Sequence, residues 1–295
     1  MPEPKLTLAP SPPPSALRAW LDITRISNAP TLVSNVAAGL CLATGTVDPA
    51  MLGLISLSLL CTYSAGMILN DICDEAVDRR ERPERPLPSG RLSRRAAIQA
   101  TVTLFIIGLL LLASFPKGMA AGIALIGLIF VYNWRHKVNP VAPLVMGACR
   151  SMIYVIAALC ATGTIPGQIQ SMGGLLMLYV ATVTWLARDE SNVRATPSRL
   201  AALGALWIPV LMLGISVHQP VALILNLVFL IWVTSALRIL WLRPDSPVGP
   251  SIGKLLAAIC LFDAVLVATC DVTWVAVPIL AMAAVTVLHR YIKGT

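Results

Sequence analysis

The residues with the clearest chemical potential form an acidic row in the first third of the chain: Asn70, Asp71, Asp74 and Asp78. On an α-helix these four positions fall within an arc of roughly 100°, and Asp71 and Asp78 lie about 10 Å apart along the axis. Aligned carboxylates repel one another, so a cation is needed to hold them together. Oxygen ligands suit Mg²⁺, which takes one or two carboxylates and completes its shell with phosphate oxygens. The row predicts a diphosphate bridged by Mg²⁺ to Asp71, Asp74 and Asp78.

A basic turn framed by prolines follows the row, from Arg82 to Gly90. Its prolines restrict the backbone, and its arginines offer planar donor groups that match phosphate oxygens. An alternative interpretation of the row is a solvated helix of an inner loop, whose carboxylates pair with the nearby Arg79, Arg80, Arg82 and Arg85. For the turn, the alternative is the general excess of basic residues in inner loops, which explains the arginines but not the prolines.

The composition indicates a membrane protein. Hydrophobic residues make up 57% of the 295 residues and charged residues only 12%, with a mean hydropathy of +0.80, whereas a soluble domain would carry about a quarter charged residues. Lipid leaves helices or closed barrels as the spanning structures, and the apolar segments lack strand alternation. We predict an all-α, polytopic membrane helical bundle of nine or ten transmembrane helices. The apolar segments are 29–46, 50–71, 96–115, 118–134, 141–162, 171–187, 200–217, 220–240, 252–270 and 273–290.

The basic residues favour one orientation. The predicted inner loops carry many arginines, whereas the outer loops carry Lys117 alone, as the positive-inside rule requires. We expect a multi-pass protein of a bacterial inner membrane with both termini cytoplasmic. A disordered cytoplasmic tail is predicted over 1–14, followed by one transmembrane domain over 15–295. The amphipathic stretch 17–26 is predicted to lie along the inner surface. The bias accounts for the net charge of +8, so we expect the lipid bilayer and no nucleic acid as a partner.

The pattern Asn-Asp-x-x-Asp-x-x-x-Asp at 70–78, followed by Arg-Pro-Leu-Pro-Ser-Gly at 85–90, resembles the first aspartate-rich motif of the UbiA superfamily of intramembrane prenyltransferases. The family's helical bundle, inner-face active site and chain length also agree. The resemblance implies a prenyl diphosphate donor, a Mg²⁺ cofactor and a small-molecule acceptor, usually aromatic. It also implies catalytic roles for Asp71, Asp74 and Asp78, and a diphosphate-orienting role for Asn70 and Arg85.

The family's second aspartate-rich motif is altered in this chain. Asp189 matches one position of that motif, but Val193 stands where the second aspartate would be. Glu190 offers a carboxylate from a different register. Two interpretations stay open: a one-metal or altered two-metal site in which Asp189 is a ligand and both acids contact substrate, or a helix-end acidic pair capped by Arg188 and Arg194.

Three basic residues are further candidates for substrate binding. Lys137 ends an element that resembles the family's Tyr-x-x-x-Lys region, where the lysine is associated with diphosphate. Arg25 stands where the family often places a substrate-facing arginine, although a surface anchor is an equal alternative. Arg150 lies within the fifth span, where an arginine is a functional hypothesis by default, and is predicted to contact diphosphate or a carboxylate of the row. The element 146–151, with Arg188 to Glu190, resembles an EboC-like branch.

The sequence therefore predicts prenyl transfer at the cytoplasmic side of the membrane, with three rivals. A transporter would require charged residues near the midplane in paired halves, and no residues other than Arg150 and Asp263 qualify. A CDP-alcohol phosphatidyltransferase is excluded because its motif is absent. A catalytically silent relative that binds a prenyl lipid is consistent with the altered second motif.

Overall fold

The computed structural model describes residues 15–134, 139–188, 197–215, 217–242 and 249–292. These residues form helices without any strand. Two short 3₁₀ turns, Ile26–Asn28 and Val272–Val275, join the α-helices. The α-helices are α1 Ala16–Ile23, α2 Pro30–Thr44, α3 Pro49–Glu81, α4 Arg94–Leu111, α5 Pro116–Asn133, α6 Ala142–Ala161, α7 Gly167–Arg188, α8 Pro197–Ile215, α9 Pro220–Leu242, α10 Gly249–Cys270 and α11 Ala276–Tyr291.

Each of the ten predicted apolar segments corresponds to one helix, from α2 to α11. Nine of these helices are long and apolar enough, within the described residues, to cross a membrane. The tenth, α8, contributes a shorter described apolar stretch, Gly204–Ile215. The predicted all-helical, polytopic architecture is confirmed, and the protein is an integral membrane protein. The predicted tail over 1–14 lies outside the described residues.

Helix α3 extends well beyond its predicted apolar segment, 50–71. Its 33 residues give a length of about 50 Å, whereas the hydrocarbon core of a bilayer is about 30 Å thick. The helix starts at Pro49 with Asp48 as its N-cap, whose side chain accepts from the amides of Ala50 and Met51. The excess length at the other end carries the acidic row, and we call that end of the bundle its inner end.

Helices α2 and α10 form the centre of the bundle and are the most buried spans. Helix α2 packs against α6, α10 and α11, and α6 packs against α7. Small residues allow these close approaches. A Cβ at Gly39 would lie 2.8 Å from the Cβ of Ala157, and a Cβ at Gly147 would overlap the carbonyl oxygen of Met177. The α2–α6 and α6–α7 interfaces therefore depend on glycine.

A second, smaller core lies at the inner end. Helix α1 buries Ala19 and Ile23 against Ile72 of α3, against Leu87 of the proline-framed turn and against Leu92, which follows that turn. The amphipathic stretch predicted along the inner surface is thus a short helix whose apolar face packs on the bundle itself. This packing fixes the turn that carries Arg85 above the end of α3.

The two ends of the described chain meet at the inner end. Arg18 of α1 donates a hydrogen bond to the carbonyl oxygen of Tyr291, the last residue of α11. This contact places the start of α1 and the end of α11 on the same side of the bundle. At the opposite end, Thr46 and Thr273 donate to Asp271, and these hydrogen bonds hold the pKa of the Asp271 carboxyl below its usual range.

Candidate active site

All four members of the acidic row are buried. The exposed fraction is 5% for Asn70 and Asp71, 8% for Asp74 and 2% for Asp78. Carboxylates are almost never buried to this degree unless they are paired or bind a cation. The helical spacing read from the sequence thus places the three carboxylates on one buried face at the inner end of α3.

Arg85 joins the two ends of the row. Its Nη1 lies 2.7 Å from Oδ2 of Asp78 and 3.5 Å from Oδ1 of Asp71. The turn holds this arginine in place because the amide and the hydroxyl of Ser89 both donate to the Arg85 carbonyl oxygen, at 3.0 and 2.6 Å. Gly90 continues the turn with a φ of 75°, a value that favours glycine. The proline-framed turn therefore presents a guanidinium to the row.

Arg25 also contacts Asp71. Its Nη2 lies 3.2 Å from Oδ1 of Asp71 and 3.3 Å from Oδ1 of Asn70. Its backbone adopts the left-handed conformation, with φ 46°, which is unfavourable for a residue with a Cβ. The hydroxyl of Tyr63 donates to the Arg25 carbonyl oxygen at 3.1 Å and supports this conformation.

The last helix supports the turn that follows Arg25. Asn28 ends the 3₁₀ turn Ile26–Asn28, and its Oδ1 lies 2.7 Å from Nε2 of His289 in α11. Residues near the two ends of the chain are thereby linked directly behind the arginine that contacts Asp71.

Two partners in the site had only weak signals in the sequence. The side-chain amide of Asn70 donates to Oδ1 of Asn133 at 2.9 Å, and Asn133 in turn donates to the carbonyl oxygen of Ile129. Asn133 is a polar residue at the inner end of an apolar span, as Asn70 is, and this was the available signal. Nothing in the sequence distinguished Tyr63 from other tyrosines at membrane interfaces.

Glu75 lies next to Asp74 in α3, but its carboxylate pairs with different arginines from those that contact Asp71 and Asp78. Its carboxylate accepts from Arg79 and from Arg94 of α4, each at 2.7 Å. The alternative of simple pairing between carboxylates and loop arginines thus describes Glu75 well. Pairing with an arginine also occurs in the row, where Arg85 bridges Asp71 and Asp78, but the row is buried and not solvated as that alternative requires.

The row fits a magnesium ion that arrives with phosphate rather than a preformed metal cage. Within the described residues, no group of three His, Cys, Asp or Glu side chains converges closely enough to hold an ion. Asp71 and Asp78 are instead spread along the helix and bridged by Arg85. One or two carboxylates per ion, with the remaining ligands from diphosphate and water, is the usual arrangement for Mg²⁺.

A largely apolar, partly open cavity lies next to the row, between α2, α3, α5 and α6, and its empty space of about 610 Å³ includes the open mouth. Met67 connects the cavity with Arg25, which contacts the row. Its sulfur lies 3.5 Å from Nη1 of Arg25, and its side chain lines the cavity. The wall is formed mainly by aliphatic residues, and its polar members include Tyr63, Tyr132 and Arg150. A molecule with an anionic head and an apolar tail would match the row and cavity together.

The remaining predicted residues are not brought to the row by contacts in the described structure. Arg150 lines the cavity and donates to Oδ1 of Asn35 at 3.1 Å. Lys137, Asp189 and Glu190 lie outside the described residues, so their predicted roles in diphosphate and metal binding stay predictions. Helix α7 ends at Arg188, directly before that acidic pair.

The sequence matches the family model of the UbiA prenyltransferase family over residues 32–247. A digeranylgeranylglyceryl phosphate synthase of Methanopyrus kandleri is 30% identical over 200 residues, which are 66% of this chain and 69% of that protein. A protein of the same description from Methanoregula boonei is 38% identical over 128 residues. That match covers 42% of this chain and only 44% of the relative.

Solved structures share the fold. A UbiA homolog from Aeropyrum pernix superposes with a TM-score of 0.68 at 18% identity, over 81% of this chain and 97% of that one. A UbiA homolog from Archaeoglobus fulgidus, solved bound to GPP and Mg²⁺, gives 0.64 at 17% identity, over 90% of this chain and 99% of that one. The family match covers most of the chain and includes the acidic row, the proline-framed turn and the cavity wall, and the chain accordingly belongs to the UbiA prenyltransferase family.

Proposed function

We propose that this protein transfers a prenyl group from an isoprenoid diphosphate to a small-molecule acceptor, with Mg²⁺ as cofactor. One observation carries the proposal: the buried row of Asp71, Asp74 and Asp78, faced by Arg25 and Arg85, lies directly beside an apolar cavity. A prenyl diphosphate has the same division between a strongly anionic head and an apolar tail. The tail would occupy the cavity and the head would lie against the row.

The arginines have a defined role in donor binding. In the structure they neutralise Asp71 and Asp78, and an incoming diphosphate offers them a second set of oxygens. Mg²⁺, held by carboxylates of the row and by diphosphate, would supply neutralisation of the leaving group. Asn70, fixed by its hydrogen bond with Asn133, would orient the same head group. Lys137, Asp189 and Glu190 are proposed as further contacts to the diphosphate or its metal.

The transfer itself follows from charge. The allylic bond between C1 and the diphosphate oxygen breaks, and diphosphate leaves with the electron pair. Arg25 and Arg85 stabilise that developing charge. The acceptor then forms a bond to C1 and releases a proton to diphosphate or solvent. Water would capture the same cation, so the reaction needs a dry site, and the aliphatic cavity wall provides one.

The proposals for the acceptor and for the cellular location are less specific than the proposal for the donor. The relatives above are named for a glyceryl phosphate product, whereas the resemblance of the motifs implied an aromatic acceptor. Catalysis at the cytoplasmic side and cytoplasmic termini rest on the positive-inside pattern. The organisms named for the relatives lend no support to the expected bacterial inner membrane. That expectation and the EboC-like branch stay predictions from the sequence.

The decisive test is Mg²⁺-dependent binding and pyrophosphate release with a panel of prenyl diphosphates, comparing Asp74→Asn with Glu75→Gln. Both variants remove one carboxylate from neighbouring positions of α3. Asp74 belongs to the row, whereas Glu75 pairs with Arg79 and Arg94. We expect Asp74→Asn to lower release by about 100-fold or more, and Glu75→Gln to retain release close to the wild type.

Other outcomes separate the rivals. Mg²⁺-dependent binding without release in the wild type, even with acceptors of both kinds supplied, would favour a catalytically silent prenyl-lipid binder. Equal losses in both variants would mean that general destabilisation, not the row, accounts for the effect. Absence of donor binding across the panel would contradict the proposal and direct attention to transport.

A further inference from the structure

Two cysteines lie together at the end of the bundle opposite the acidic row, which we call its outer end. Cys41 belongs to the last turn of α2, and Cys270 is the last residue of α10. These two helices are the central spans of the bundle and pack against each other. Both side chains are free thiols in the structure. The pair therefore lies where a covalent bond would join the two central helices.

Three contacts hold Cys41 against the last turn of α10. Its Sγ lies 3.8 Å from the carbonyl oxygen of Val267. The same sulfur is in hydrogen-bond contact with the thiol of Cys270 and with the backbone amide of Asp271. Val267 and Cys270 are three positions apart and share a helix face. The sulfur of Cys41 therefore lies over the face of α10 that carries Cys270.

The ends of the two helices are held in register. Thr46 follows α2 and donates to Oδ2 of Asp271, the residue after Cys270, at 2.7 Å. Between Cys41 and Thr46, Gly45 turns the chain with a φ of 85°, and its amide donates to the Cys41 carbonyl oxygen at 2.8 Å. The two thiols are thus brought together by contacts on both sides of the pair.

The two thiols differ in accessibility. Cys41 is fully buried, whereas Cys270 is half-buried at the helix end and is followed by the exposed residues Val272 and Thr273. An oxidant can therefore reach Cys270 first, and Cys41 can then react with Cys270. Under the proposed orientation, the outer end lies on the outer side of the membrane, where disulfides form and persist.

We propose that Cys41 and Cys270 form a disulfide that joins α2 to α10 at the outer end. The oxidant is itself a disulfide on the outer side of the membrane, carried by a thiol oxidoreductase or by a small molecule. The thiolate of Cys270 attacks one of its sulfurs, and the other sulfur leaves as a thiolate that takes up a proton. The thiolate of Cys41 then attacks Cys270 in this mixed disulfide and expels the oxidant's remaining sulfur. Two electrons and two protons pass to the oxidant, which ends as two thiols.

The bond would close a loop from residue 41 to residue 270, which contains most of the transmembrane domain. A disulfide stabilises a protein mainly by restricting its unfolded chain. Reductant should therefore lower the unfolding temperature of the wild type and leave that of Cys41→Ala unchanged. The acidic row and its arginines lie at the inner end, so donor binding should be the same with and without the bond.

Counting of thiols tests the proposal. Cells are quenched in acid to stop thiol exchange, and the full chain is denatured, alkylated and weighed by mass spectrometry before and after reduction. The chain has seven cysteines, so a bonded pair leaves five alkylated before reduction and seven after it. Cys41→Ala and Cys270→Ala should each show six alkylated thiols in both samples. Cys160→Ala, the matched control, removes another buried cysteine and should show four before reduction and six after it.

Seven alkylated thiols in the wild type before reduction would overturn the proposal. Four in Cys41→Ala before reduction would also overturn it, because the bond would then join other cysteines. Treatment of isolated membranes with diamide explains a reduced wild type: loss of two thiols would mean that the pair is in contact but stays reduced in cells, and no loss would contradict the contact itself. Elution of each variant in detergent at the wild-type volume shows that it is folded.

Discussion

At the scale of single residues, the site combines side chains placed by their helical spacing on α3 with side chains that come from distant parts of the sequence. The positions 70, 71, 74 and 78 share a helix face because of their spacing alone, so the buried row could be predicted from the sequence. The contacts made by its partners could not. Arg25 and Asn133 contact the row, and Tyr63 supports Arg25, through contacts between residues far apart in the chain, about which helical periodicity contains no information.

Substitutions at Arg25 separate the effect of its backbone strain on stability from the effect of its charge on donor binding. We expect Arg25→Ala and Arg25→Gly to weaken donor binding about equally, by about ten-fold or more, because both remove the guanidinium beside Asp71. The glycine variant should nevertheless be more stable than the alanine variant by about 1 kcal/mol, since glycine adopts a φ of 46° without a steric penalty.

Thermal unfolding in detergent gives the stability difference, and titration with a prenyl diphosphate and Mg²⁺ gives the affinities. Equal stabilities of the two variants would show that residue 25 does not hold the left-handed conformation in the folded protein.

At the scale of helices, the lengths of the helices could be predicted from the sequence, but the contacts between helices could not. Ten apolar segments gave ten helices because the bilayer imposes length and composition on each span separately. The apolar segment was ended at 71 because the acidic residues interrupt the apolar pattern without interrupting the helix, and the helical spacing of the row predicted that helix as far as Asp78. The link of Asp263 to Ser34, Asn35 and Tyr154 joins α10, α2 and α6, and the sequence showed only a lone acid in a late span.

The α6–α7 interface gives a prediction at this scale. Gly147→Ala places a methyl group against the Met177 carbonyl oxygen, so α6 must move, and we expect a loss of about 1–3 kcal/mol of stability. Gly174→Ala, on the facing helix, has open space around the new methyl group and should be neutral or stabilising by up to about 1 kcal/mol.

The two glycine variants can be compared by thermal unfolding and by donor binding, since Gly147 lies one turn before Arg150 on α6. A Gly147→Ala variant as stable as Gly174→Ala would contradict the close approach of the two helices.

At the scale of the whole molecule, the structure places α1, the proline-framed turn and the end of α11 together at the inner end. Arg91, the residue after the proline-framed turn, and Arg18 both pair with Asp22. Arg18 also donates a hydrogen bond to the carbonyl oxygen of Tyr291. The sequence predicted an even number of spans from charge asymmetry, and this contact independently requires the two ends to share a side. The assignment of 15–295 to a single domain, and of that side to the cytoplasm, stay predictions.

Cysteine labelling tests the arrangement. In a background in which the seven native cysteines are replaced, we expect Ser15→Cys and Ser89→Cys to react with an impermeant thiol reagent only after the membrane is opened. Thr164→Cys, exposed in the turn between α6 and α7, should react in intact cells. Different labelling of Ser15→Cys and Ser89→Cys would contradict the shared side.

The contact between His289 and Asn28 has a consequence for biogenesis. The segment that carries Arg25 emerges from the ribosome long before His289, because Asn28 and His289 are 261 residues apart in the chain. Helices inserted early can pack with one another during synthesis. The support behind Arg25 becomes available only when α11 has entered the membrane, so competence for donor binding should appear only after α11 has been inserted.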